Sequence, residues 1–366
     1  MHLDVLHVLP SSQRRGAETF GYELHRSLAA RGVRSDVWCL EPGRHTSSRA
    51  SSLPVPAFAN HRFSATGVRA LRRRADDAGL VVAHGSSTLL ASGLGLMGLS
   101  VPFVYVSIGD PRYWARTRAR RQRARWLIAR AAAVVAISPG SKDVLVGYYR
   151  LDPERIHVIP NGRSGSQFVP ADPTSRSMAR HALGLPTADD VVAVVGALGP
   201  EKRVDVAIQA VSQLTNVTLV VAGDGPERQA LEVLAGKIAP GRVIFLGATD
   251  EPATVLAAAD VLALSSDSEG SPGILVEAGL AGLPVVATDV GWIRDLVLPG
   301  ETGLLVPPGR PDLVASALRE AFDRRAELGP AGRDRCLAEF EMTMVTDKWQ
   351  RLIEGTTRRV HNTSVA

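Results

Sequence analysis

A chain of 366 residues with 45% hydrophobic content can bury a large core and is too long for one ordinary domain, so two domains are expected. Its only cysteines, Cys39 and Cys336, lie far apart in sequence, which leaves no disulfide framework or cysteine-based metal site and points to a reducing, cytoplasmic setting. The formal charge of +5 rests almost wholly on arginine, with Lys142, Lys202, Lys237 and Lys348 as the only lysines.

The chain begins with the strand-like run HLDVLHVLP, and no basic region, apolar core or cleavage site is read ahead of it. Gly16 follows this strand and precedes the helical pattern AETFGYELHRSLAARG, a place where a missing side chain lets backbone approach a ligand closely. RSDVWCL, LVVAH, PFVYVSI, AVVAIS and HVIPN follow as strands separated by turns or helices, the pattern of a parallel sheet covered on both faces. His84 ends LVVAH and is read two ways, as a contact for sugar or acceptor and as a histidine satisfied locally at a strand end.

Residues 85–109 carry no charge and are long enough to span a bilayer, but Gly93, Gly95, Gly98, Ser100 and Pro102 divide them into a short helix and a strand of ordinary α/β core. Within them GLGLMG fits the dinucleotide pattern G-x-G-x-x-G. The preceding strand ends about ten residues earlier and no acid lies about twenty residues beyond, so the match is read as chance in a Gly-rich helix. Eight arginines then fall between Arg112 and Arg130, around Tyr113, Trp114 and Trp126. Such a segment is either a solvated helix face or a peripheral contact with anionic membrane, which would place the protein at the inner membrane face. No helix-turn-helix, zinc finger or RNA-binding motif accompanies the charge, and nucleic acid is not an expected partner.

NGRSGSQFVPADPTSR, rich in Gly, Ser and Pro, breaks the pattern and reads as an interdomain linker. The alternation restarts with VVAVVGAL, VTLVVAG, VIFLG, VLALSS, PVVAT and GLLVPP as strands of a second doubly wound domain. The expected division is therefore α/β, with Rossmann-like domains over 1–165 and 166–343 and a C-terminal helix over 344–366 returning to the first. Ligand is expected in a cleft between the domains, at the carboxyl ends of the strands, with closure around it.

Three loops of the second domain carry polar chemistry. In VVGALGPEKRVD, Lys202 and Arg203 stand just before an amphipathic helix, where a lysine can neutralise a phosphate or simply face solvent. VVAGDGPERQAL places a tight turn, Gly223 to Pro226, at a strand's end. In SSDSEGSPGILVEAGLAG, Ser271 and Pro272 suit the N-cap and first helical position, so a helix starts near Gly273. Its first N–H groups, on Gly273, Ile274 and Leu275, are donors for an anion, and Gly273 permits close approach. Glu277 lies roughly 6 Å further along that helix, at about 1.5 Å per residue, within reach of a ribose diol. Glu269 stays on the preceding loop. The arrangement fits a nucleotide sugar, with sugar near Glu269, diphosphate at the helix start and Lys202, and ribose at Glu277.

The E-x7-E arrangement of EGSPGILVEA, with VGALGPEKRVD, VVAGDGPERQ, VIFLG and GLPVVATDVGWIRDLV in this order, resembles the retaining glycosyltransferases of the GT-B fold, family-four type. The resemblance extends to RGAETFGYELHRSLAARG at the front and to VVAISPGSKDVL and VIPNG before the linker, nearly the whole chain. It implies that Glu269 contacts the donor sugar near the reacting centre, that Glu277 binds ribose and that Lys202 binds diphosphate. It also implies hexosyl transfer from a UDP- or GDP-sugar to a glycan, lipid-linked or small-molecule acceptor with retained configuration and without metal or other cofactor.

Three departures stand out. The family's G-R-L is Gly196-Ala197-Leu198 here, which removes a diphosphate arginine for which Arg203, Arg14 or Arg15 could compensate. A histidine common after a first-domain strand is replaced in VSIGDPRYW by Gly109, with Asp110 following as a candidate sugar or acceptor contact. The front glycine pair is reduced to Arg15-Gly16. Asp267-Ser268-Glu269 also has the D-x-D form of a metal site, but cationic side chains and helix donors already cover the phosphate. A nucleotide-sugar 2-epimerase of the same fold and a catalytically weak nucleotide-sugar-binding relative are the alternative readings.

Overall fold

Each of the twelve apolar runs read as a strand forms one. The structure, a computed structural model, describes residues 3–14, 16–43, 52–62 and 64–365, with the side chains of residues 111, 113 and 359–365 left aside. It divides at Gly162/Arg163 and Glu341/Met342, so that residues 342–365 belong with the first domain and residues 163–341 form the second.

In the first domain the chain runs β1 (Leu3–Ser11), α1 (Gly16–Ala30), β2 (Ser35–Glu41), α2 (Ala65–Asp76), β3 (Ala78–His84) and α3 (Ser86–Gly95). It continues through β4 (Phe103–Ser107), α4 (Pro111–Trp114), α5 (Arg118–Ala129), β5 (Ala133–Ala136), α6 (Pro139–Tyr149) and β6 (Ile156–Val158). The six strands pair in parallel in the order β2-β1-β3-β4-β5-β6. β4 and β5 are buried along their whole lengths, as strands covered on both faces must be. The GLGLMG segment belongs to this packing. A side chain on Gly93 would press on Leu127 of α5, so the glycine serves helix contact.

The second domain comprises α7 (Pro173–Ala182), β7 (Asp190–Val195), α8 (Val204–Ser212), β8 (Val217–Ala222), α9 (Arg228–Ile238), β9 (Val243–Gly247), α10 (Pro252–Ala258) and β10 (Val261–Leu264). Then come α11 (Gly273–Leu280), β11 (Val285–Thr288), α12 (Ile293–Leu296), β12 (Leu304–Val306), α13 (Pro311–Asp323) and α14 (Arg325–Glu339). Its parallel sheet has the order β12-β11-β10-β7-β8-β9. The stretch read as a linker is only partly irregular. Asp172 caps α7 by accepting from Ser175 N at 2.7 Å, and Pro173 stands in its first turn, where no intrahelical N–H is needed. The last helix, α15 (Met342–Val365), returns to the first domain and packs on α1 through Ser27 Oγ and Thr346 Oγ1 (2.8 Å) and the Arg31–Asp347 ion pair.

His84 is a core residue. Its Nε2 lies 3.0 Å from Nδ1 of His7 on the neighbouring strand, both side chains are fully buried, and the Trp349 ring of α15 lies 6.4 Å away. Burial pushes both imidazoles down, His84 to about 3 and His7 well below its usual value. A base with a depressed folded pKa is bound by more protons in the unfolded chain, so stability is complete above about pH 6.5 and falls as pH drops toward the folded value. Urea unfolding at pH 5 should thus give a stability about 2 kcal/mol lower than at pH 7.5 from His84 alone. A His84→Gln variant with an equally steep profile would contradict this assignment.

Candidate functional site

In the second sheet β7 lies between β8 and β10, so chain order reverses there and the loops after β7 and β10 diverge at a topological switch point. Those two loops are stitched together. Asp267 N donates to Glu201 O (2.8 Å), and Ser265 Oγ donates to Arg203 O (2.8 Å). Thr288 Oγ1, at the end of β11, donates to Ser266 O (2.6 Å). The Gly223–Pro226 turn after β8 supports the first loop from the other side. Leu198 N donates to Asp224 O (2.9 Å), and any side chain on Gly223 would overlap the Gly196 carbonyl.

This stitching brings Lys202 and Glu269 together: Lys202 Nζ donates to Glu269 Oε1 at 2.8 Å, and Ser266 Oγ donates to the same oxygen at 2.6 Å. The carboxylate is nearly buried and the lysine half-buried. A helix does begin at Gly273, with its cap one residue later than read from the sequence: Pro272 is the N-cap, with extended backbone and no side-chain cap. The proline ring carries no acceptor atom, so the N-cap offers no side-chain partner to the first turn. Leu275 is also corrected as a donor, because its N–H bonds to Pro272 O (3.2 Å) and its side chain is buried. The donors at the helix start are Gly273 and Ile274.

Glu277 is held by a residue that sequence reasoning missed. Arg163 Nε donates to Glu277 Oε1 at 2.6 Å, with the guanidinium 4% exposed and the carboxylate 13%. The pair spans 114 residues of sequence. Its one signal was a cation directly after VIPNG in a stretch otherwise made of small and polar residues. A side chain on Gly273 would overlap the Arg163 guanidinium, so the glycine admits an arginine from its own domain to the helix start. The region thus presents two N–H donors between two carboxylates, each already matched by one cation.

The remaining predicted residues are placed elsewhere. Arg203, in left-handed backbone (φ 47°), turns to Asp205 (Nε to Oδ1 and Nη2 to Oδ2, both 3.0 Å) and to Asp267 (Nη1 to Oδ2, 3.1 Å), which raises its pKa further. These ion pairs tie its guanidinium to its own loop and to the loop after β10. Asp267 and Glu269, the D-x-D pair, are each neutralised by a different cation. In the first domain Gly16 opens α1 with no neighbour within 4 Å of a Cβ there, so its backbone is open to approach. Arg14 is exposed, and Arg15 lies outside the described residues. The Asp110 side chain is 7% exposed and held by Arg112 (Nη2 to Oδ2, 2.6 Å), while His84 lies in the core.

Two hollows lie away from these loops. One, of about 380 Å³ beside α7, has Arg176 and Arg180 in its wall, and both are engaged with Asp260 (2.9 and 2.6 Å). The other, of about 310 Å³ in the first domain, lies between α3 and α5, with Leu89, Leu90 and Leu127 as floor and Arg120 and Arg123 at its edge.

Two parallel six-stranded sheets, each covered by helices, with polar loops at the switch point of the second, define a double Rossmann-like α/β chain. Among solved structures, Anabaena Alr3699/HepE in complex with UDP-glucose superposes with a TM-score of 0.84 at 23% identity, over 97% of this chain and 100% of that one. Sucrose-phosphate synthase from Thermosynechococcus elongatus gives 0.82 at 20%, over 96% and 98%. The fold is GT-B.

Sequence comparison carries the assignment further. Residues 14–164 match the model for Glycosyltransferase Family 4, and residues 189–324 that for Glycosyl transferases group 1. Alpha-maltose-1-phosphate synthase of Mycolicibacterium smegmatis is 31% identical over 302 residues, 75% of this chain and 78% of the relative. D-inositol 3-phosphate glycosyltransferase of Mycolicibacterium gilvum is 38% identical over 187 residues, 49% of this chain and 41% of the relative. The match therefore spans less than half the length of that relative. The chain belongs to glycosyltransferase family 4.

Proposed function

We propose that the chain transfers a hexosyl unit from a UDP- or GDP-sugar to a hydroxyl acceptor with retained anomeric configuration. The observation that carries this reading is the pair of N–H donors, on Gly273 and Ile274, between the cation-held carboxylates Glu269 and Glu277. The diphosphate lies at the helix start, Glu269 positions the sugar hydroxyls and Glu277 takes the ribose diol. As the bond from the anomeric carbon to the phosphate oxygen breaks, charge grows on that oxygen, and Lys202 with the two N–H groups stabilises it. The acceptor oxygen bonds to the anomeric carbon from the same face, and its proton passes to the departing diphosphate. The relatives' names, which mention D-inositol 3-phosphate and alpha-maltose-1-phosphate, favour a small phosphorylated carbohydrate among the acceptor classes.

No divalent ion is required in this reading, since Asp267 and Glu269 are already matched by Arg203 and Lys202. The test is a panel of UDP- and GDP-sugars, followed for saturable binding and for hydrolysis without acceptor, with and without EDTA. One donor should be consumed at an unchanged rate in EDTA. Complete loss in EDTA would contradict metal independence, a new sugar nucleotide would indicate an epimerase, and saturable binding without turnover would indicate a binding-only relative.

The face built by α3 and α5 is a second part of the proposal. Among the described residues no helix is long and apolar enough to cross a membrane, so the contact considered is peripheral. Leu90, Leu94 and Met97 stand exposed along and just beyond uncharged α3, and Trp126 is half exposed on α5 with Arg130 over its ring (5.4 Å). No acidic residue occurs from Pro111 to Lys142. Apolar side chains rimmed by arginine suit an anionic bilayer surface. Flotation should show binding to vesicles with phosphatidylglycerol at low salt, several-fold weaker in 0.5 M salt or in Trp126→Ala. Equal recovery on neutral and anionic vesicles would contradict it.

A further inference from the structure

The buried arginine that reaches Glu277 comes from the crossing between the two domains rather than from any of the three polar loops. Arg163 is the first residue of the second domain. Its backbone is pinned there, with N donating to Phe340 O (2.9 Å) and a parallel bridge to Glu341, the last residue before the chain leaves that domain. Its side chain then runs against the first residue of α11 and ends on Glu277 Oε1.

Electrostatics alone does not favour this place. A helix start carries partial positive charge, which disfavours a cation there. What makes the arrangement tenable is Glu277, one turn into the same helix. A carboxylate this little exposed needs a counter-charge, and a guanidinium is planar and fixes the direction of the oxygen it binds, as a flexible lysine does not.

We propose that Arg163 is the positioning residue for Glu277, fixing one carboxylate oxygen so that the other faces the ribose diol, and that it thereby sets discrimination for the ribose hydroxyls of the donor. This rests on the donor reading given above. The absence of a side chain at Gly273 belongs to the same device, because a methyl group there would force the guanidinium off Glu277 without removing any charge.

The experiment compares UDP, or GDP if the panel selects it, with the corresponding 2′,3′-dideoxynucleoside diphosphate by calorimetry. Wild-type protein should favour the ribonucleotide by roughly ten-fold or more, the range expected of hydrogen bonds to a charged group. Arg163→Met and Gly273→Ala should each bring the ratio to within about three-fold of unity, and Arg163→Lys should restore part of it. A merely structural role for Arg163 would lower melting temperature and leave the ratio intact, and that result overturns the proposal. If Arg163→Met does not fold, Gly273→Ala decides, since a full ratio in that variant also overturns it. Glu277→Gln separates the two levels. If it keeps the full ratio, or if wild type binds no nucleoside diphosphate, the donor reading itself fails. If it loses the ratio while Arg163→Met and Gly273→Ala keep it, only the role of Arg163 fails.

Discussion

Replacing Lys202 by alanine should lower turnover of the nucleotide sugar by about two to three orders of magnitude, the usual cost of removing one group that meets charge developing in a transition state. Its side chain is 27% exposed and bound to Glu269, so the variant should remain folded, with Ser266 still donating to that carboxylate. The loss should appear mainly in kcat, because charge on the leaving oxygen grows only as the bond breaks. Steady-state kinetics beside a melting curve checks this. Turnover within about three-fold of wild type would remove Lys202 from the chemistry.

Replacing Glu277 by alanine should have a large effect of a different kind. It removes the carboxylate to which the buried Arg163 Nε donates, and breaking a buried pair from one side typically costs about 3 to 5 kcal/mol. Donor affinity and global stability should therefore fall together. The double variant Arg163→Met/Glu277→Leu should recover most of the stability and none of the affinity, since two apolar side chains can fill the volume of the pair. Urea unfolding of the three proteins measures the first part and calorimetry the second. A single variant as stable as wild type would contradict this prediction.

These expectations show which features were legible from local sequence. All twelve strands were, because strands buried on both faces are written as continuous apolar runs, and the turns between them are marked by glycine and proline. The start of α11 and the separation of Glu269 from Glu277 followed from local spacing. Pairings across sequence were not. Arg163 meets Glu277 only because the chain crossing passes the start of α11, and nothing in NGRSGSQF announces that. Arg203 meets Asp267, 64 residues away, only because the fold places the loops after β7 and β10 side by side. His84 and His7 stand together because β1 and β3 are neighbours, a consequence of strand order. The Leu275 N–H is engaged because the first turn closes onto the carbonyl of the proline cap, a bond that local spacing does not announce.

The proposed mechanism requires that the start of α11, between Lys202–Glu269 and Arg163–Glu277, receive the donor's diphosphate. A crystal structure with UDP bound, or with GDP if the panel selects it, tests it most directly. Phosphate oxygens should lie about 2.7 to 3.2 Å from the nitrogens of Gly273 and Ile274, with a ribose hydroxyl on Glu277. A nucleotide bound with its phosphates away from those two nitrogens would contradict it.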